Sequence, residues 1–96
     1  MAKRDKLSDD AIAMFLNGHP GWENKGTSLS RAYAFRDFSA ALGFVVRLGL
    51  LAEKHDHHPD VVLGWGKARV DWSTHDAGGI TAMDTELAAL TDALYV

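Results

Sequence analysis

The chain has 96 residues, 47% hydrophobic and 24% charged, with a formal net charge of −3 and no cysteine. That length holds one hydrophobic core, hence one domain over 1–96. The missing cysteines exclude disulfides, thiolate metal sites and a cysteine nucleophile. Lysine and arginine are interspersed with acids rather than gathered into a basic stripe, so direct nucleic-acid binding is not expected. No apolar run reaches the roughly 20 residues of a membrane span. The charged start from Met1 to Asp10 runs into no apolar leader core, and a cytoplasmic location is expected.

Ser8, followed by Asp9 and Asp10, reads as the N-cap of a first helix over about Asp9 to Leu16, closed by Asn17-Gly18 and Pro20. A short strand fits Trp22 to Asn24, and Lys25-Gly26 reads as a turn. Ser28 to Phe35 alternates: Leu29, Tyr33 and Phe35 share one face, Ser30, Ala32 and Ala34 the other. Arg31 breaks the apolar face, which suggests a sheet edge or a side chain reaching out to water. Asp37 is placed to cap a second helix, whose stripe is Phe38, Ala41, Leu42, Val45, Leu48 and Ala52. Phe44, Leu50 and Leu51 lie outside that stripe, and Arg47 is the lone charge between Phe38 and Ala52. So apolar a helix has more surface than one sheet face covers, which predicts a homodimer or a tetramer.

Val61 to Trp65 reads as a third strand, with Gly64 and Gly66 leaving room for a bend. In a fourth, Ala68, Val70 and Trp72 alternate with Arg69, Asp71 and Ser73. Gly78-Gly79 forms a loop, Thr81 and Asp84 have capping-box spacing, and Met83, Leu87, Leu90 and Leu94 stripe a last helix. Short links within each strand pair imply hairpins. The expected fold is α+β: one four-stranded antiparallel sheet with three helices packed on one face.

The densest polar run, Glu53-Lys54-His55-Asp56-His57-His58-Pro59, follows this apolar helix, and His75 lies further on. Imidazoles beside carboxylates suit general acid–base work near neutral pH. The same residue types suit a divalent metal site or a solvated loop, and spacing alone leaves all three open. His19, isolated beside Pro20, reads as a loop residue. No phosphate-binding glycine loop and no serine nucleophile motif is present.

Glu53-x-x-x-His57-His58-Pro59, followed by Trp65, His75 and Asp84, resembles the signature of the pterin-4a-carbinolamine dehydratases. Phe35-Arg36-Asp37-Phe38, Thr74-His75-Asp76-x-Gly78-Gly79-Ile80-Thr81 and the order of elements extend the resemblance over about 22–94. It implies elimination of water from a 4a-hydroxytetrahydropterin, the product left by aromatic amino-acid hydroxylases, with neither redox cofactor nor metal. It further implies that His57, His58 and His75 ring the pterin. His57 and His75 would be acids at the leaving hydroxyl and His58 would orient the ring, while Glu53, Pro59, Asp60 and Trp65 would contact substrate. Animal members also act as dimerisation cofactors of a homeodomain transcription factor, so a binding or interaction module is the alternative.

Most of these residues also have plainer roles. Asp84 is fully accounted for as a capping box, Asp60 as a strand entry, Trp65 as core, and Pro59 and Asp76 as loop formers. Val61, where relatives often carry an aromatic residue, the extra His55, and Trp72 in place of a smaller aliphatic residue leave the pocket's shape open.

Overall fold

The computed structural model describes residues 4–95; Lys3, counted above in the charged start, lies outside them. The order is α1 (Asp9–Gly18), β1 (Glu23–Asn24), β2 (Leu29–Ala34), α2 (Phe38–His55), β3 (Asp60–Gly64), β4 (Lys67–Trp72), a short 3₁₀ turn (His75–Ala77) and α3 (Ala82–Leu94). The four strands form one antiparallel sheet in the order β1-β2-β4-β3. The expected α+β fold is present. Each strand pair is a hairpin, and the α2 connection carries the chain to the far edge, so that β4 returns beside β2.

Alternation along the central strands decides which face is covered. Leu29 and Tyr33 of β2 and Ala68, Val70 and Trp72 of β4 point into the core. They meet Ile12 of α1, Phe44, Leu48 and Ala52 of α2, and Leu87 and Ala88 of α3. Burying a side chain of Leu or Phe size contributes about 1.5–3 kcal/mol, so this layer dominates stability. The other sheet face has no helix on it and carries Ser30, Asp60, Arg69 and Asp71 in register.

Helix ends follow their caps. Ser8 Oγ accepts from the Ala11 amide, and Asp37 accepts from that of Ala40. Helix α1 runs two residues past the expected end because His19 closes it: its amide donates to the Leu16 carbonyl, and its Nδ1 lies 2.8 Å from the Phe15 carbonyl. Helix α2 continues beyond Ala52 to His55 and stops at Asp56, whose φ of 50° turns the chain back. Trp65 is not in β3; with Gly66, at φ 71°, it makes the two-residue turn into β4.

The apolar pattern of α2 needs a correction. Ala41, Phe44, Leu48 and Ala52 are buried, whereas Phe38 and Leu42, read as part of the buried stripe, are exposed together with Val46 and Leu50. The helix is apolar on two sides, so spacing alone could not say which side meets the sheet. The uncovered side follows a four-residue step from Phe38 to Leu50.

Arg31 lies just past the two residues of β2 that β1 pairs, but its side chain does not snorkel outward. Its guanidinium lies 2.7 Å from Asp92 of α3 and 4.5 Å from the centre of the Tyr33 ring. Trp22 Nε1 and the Tyr33 hydroxyl donate to the same Asp92 carboxylate. Burial, followed by the hydrogen bond to Asp92, pushes the Tyr33 hydroxyl well above its ordinary pKa.

Candidate active site

The left-handed turn at Asp56 brings His57 inward and His58 outward just beyond α2. His57 is 8% exposed. Its ring stacks on Trp72 at 5.7 Å between centroids, and Trp72 is itself held by a 3.0 Å bond from its Nε1 to Thr91 Oγ1. The large residue at position 72 therefore forms the wall behind His57.

On its other edge, His57 Nε2 lies 2.7 Å from Oδ1 of the fully buried Asp84. The second oxygen of Asp84 accepts from the Thr81 amide and from Thr74 Oγ1, both at 2.8 Å. The capping box is present, but it uses only one side of the carboxylate. The other side takes the Nε2–H of His57, which leaves Nδ1 clear of Asp84.

His58 Nε2 lies 2.6 Å from Glu53 Oε1 in an exposed pair. His75 opens the 3₁₀ turn, which is closed at its base by pairing of Thr74 with Gly79. Gly78, at φ 74°, supplies the left-handed step that lets Gly79 return to Thr74. His57, His58 and His75 share one recess of about 230 Å³ with Arg4, Asp56, Ser73, Thr74 and Asp76.

The residues expected at the substrate divide in four ways. The three histidines come together. Glu53 lines none of this recess and reaches it only through His58; half-buried Pro59 links His58 to β3 and does not line it either. Asp60 opens onto an adjoining recess that shares Ser73 and His75. Trp65 is neither core nor pocket wall within one chain. It is 73% exposed in the β3–β4 turn, and strand rise puts it roughly 16 Å along β3 from Asp60.

His55 faces a different recess, with Met83, Glu86 and Leu87. Among the described residues, no group of three His, Cys, Asp or Glu is spaced to hold a metal ion. The sequence reading gave no role to Ser73, Thr74, Asp56 or Arg4 at the site. Thr74 was visible only as a flank of His75, since a threonine bonded to a cap carboxylate leaves no periodic trace.

A family model described as pterin 4 alpha carbinolamine dehydratase matches residues 5–94. The chain belongs to the pterin-4-alpha-carbinolamine dehydratase family. It is accordingly an enzyme of the hydro-lyase class. A protein of Afipia carboxidovorans named for this dehydratase is 48% identical over 86 residues, covering 88% of this chain and 86% of the relative. One from Thermomicrobium roseum with the same name is 43% identical over 83 residues, covering 86% and 89%. Among solved structures, a Brucella melitensis chain titled as a transcriptional coactivator/pterin dehydratase superposes with TM-score 0.90 at 31% identity, covering 96% of this chain and 100% of that one. No helix among the described residues is long and apolar enough to cross a membrane.

Proposed function

We propose that this dehydratase acts on a 4a-hydroxytetrahydropterin by histidine acid–base catalysis and so recycles the pterin of aromatic amino-acid hydroxylases. In the reaction a proton is delivered to the C4a hydroxyl and the C4a–O bond breaks, its electron pair leaving with water. The N5–H proton is removed, and its bonding pair forms the C4a=N5 double bond of the quinonoid dihydropterin. One proton is given and one is taken, so no redox partner is required.

The observation that carries this reading is the meeting of three imidazoles on one recess, one of them fixed by a buried carboxylate. His57 and His75 are assigned the proton transfers and His58, steadied by Glu53, the orientation of the ring. Asp60 contacts substrate from the adjoining recess, Pro59 sets the direction of His58, and Trp65 has no part in the site of its own chain. General acid catalysis of this kind contributes about 10²–10⁴-fold, or roughly 3–5 kcal/mol of barrier.

The deciding experiment is stopped-flow decay of a 4a-hydroxytetrahydropterin with and without the protein. Acceleration supports the dehydratase, and binding without acceleration supports an interaction module instead. We also assign the chain to the cytoplasm and to a homodimer or a tetramer built from dimers, with the exposed side of α2 as the joining surface.

A further inference from the structure

We infer that Arg4 is a substrate-binding residue of the histidine recess and donates to the C4 carbonyl oxygen of the pterin. This rests on the dehydratase reading and adds a residue that fixes how the ring is held. Arg4 lines the recess with His57, His58 and His75. Its guanidinium has no hydrogen-bond or ion-pair partner among the described residues, although Asp56 and Asp76 line the same recess.

The segment that carries Arg4 is fastened in place. The Leu7 amide donates to the Ile80 carbonyl at 2.9 Å, and Lys6 pairs with Thr81 as an antiparallel bridge. The Lys6 side chain crosses Gly79, where an added Cβ would come within 3.2 Å of its Cε. The same loop is closed on its other side by the pairing of Thr74 with Gly79, which sets His75. One loop thus positions both the His75 imidazole and the strap that brings Arg4 to the recess.

Charge and hydrogen-bonding capacity select the target. A guanidinium has N–H donors, no acceptor and no proton to release near neutral pH, so it serves neither proton transfer. C4a carries the hydroxyl and is bonded to C4, N5 and C8a. Imidazoles take the hydroxyl and the N5–H, which leaves the C4 carbonyl oxygen as the acceptor beside the reacting carbon. Further along that edge, N3–H and the 2-amino group are donors, and the carboxylates of Asp56 and Asp76 are acceptors in the same recess.

The test measures binding of a 7,8-dihydropterin and of its 2,4-diamino counterpart, in which an amino donor replaces the C4 carbonyl, to the unaltered protein, Arg4→Ala and Arg4→Lys. The unaltered protein should prefer the carbonyl compound. Arg4→Ala should reduce that preference by about tenfold, the lower end for a hydrogen bond to a charged group, because Arg4 is exposed before the ring arrives. Arg4→Lys should fall between the two. On the 4a-hydroxytetrahydropterin, Arg4→Ala should raise KM by a similar factor with kcat held, the mark of a contact made equally before and during the reaction. The preference is a ratio read on one preparation, so a loss of folded protein cannot imitate its change. A preference unmoved by Arg4→Ala, or a lower kcat at constant KM, overturns the assignment of Arg4, and turnover by the unaltered protein then leaves the dehydratase reading standing. A protein that neither binds the carbonyl compound nor dehydrates its substrate removes both.

Discussion

His57 Nε2 lies 2.7 Å from Oδ1 of Asp84, a carboxylate with no solvent exposure. The same side chain closes the capping box at the start of α3, so the helix terminus and the proposed acid share one anchor. Asp84→Asn keeps the shape but turns a carboxamide donor towards groups that already donate. It should lower kcat at least about tenfold, by releasing the His57 tautomer, and cost roughly 1–3 kcal/mol of stability. Steady-state kinetics and urea unfolding measure the two effects separately; an unchanged kcat would show that His57 works without its carboxylate.

If His57 and His75 share the proton transfers, His57→Ala and His75→Ala should each leave part of the activity. The double variant should lose nearly all of it, on the order of 10²–10⁴-fold, without additivity. A chelated sample of the unaltered protein belongs beside them and should keep full activity. Full activity in the double variant would end the acid–base assignment.

Glu53 and His58 form an exposed pair, and such pairs contribute only about 0–1 kcal/mol to stability. Glu53→Gln should therefore leave the unfolding midpoint almost unmoved. Its effect should fall on KM, by a few-fold, because the His58 ring is less well aimed. A drop in kcat with KM constant would instead place Glu53 in the chemical step.

Tyr33 gives the fold an alkaline limit. Its pKa in the folded chain is raised above the ordinary 10.0 by burial first and by Asp92 second, so folding favours the protonated phenol. That contribution is fully present below pH 10.0 and declines as pH rises above it, because the unfolded chain then releases a proton that the folded chain holds. Unfolding free energy should fall above that pH in the unaltered protein and fall less steeply in Tyr33→Phe. Parallel slopes would remove Tyr33 from the effect.

The side of α2 bearing Phe38, Leu42, Val46 and Leu50 is uncovered in the single chain. Val46→Glu should shift sedimentation at micromolar concentration from an assembly to a monomer with unchanged circular dichroism. A monomer before the substitution is made would contradict the joining surface.

Strand alternation, caps and turn residues made the fold largely legible, because each is a local signal. Leu29, Tyr33, Val70 and Trp72 are buried where a period of two places them. Two-sided apolarity defeats that logic, as in α2, where Leu42 and Phe44 exchanged places between surface and core. Arg31 was unreadable for another reason: its partner Asp92 is 61 positions away, and no local pattern announces a pairing made by the approach of α3 to β2. At the site, the family resemblance, and not spacing alone, named His57, His58 and His75. It could not show that Asp84 has two duties, or that Trp65 lies at the far end of its hairpin, because both depend on where strands and helices end in space.

The left-handed residue Asp56 makes sequence neighbours into spatial strangers. Before it, His55 belongs to the helical surface and faces a recess with Met83 and Glu86; after it, His57 and His58 turn to the opposite side and to separate carboxylates. A tract that reads as one polar run is thus partitioned by a single backbone angle. His55 therefore lines none of the recess that His57 and His58 share with His75.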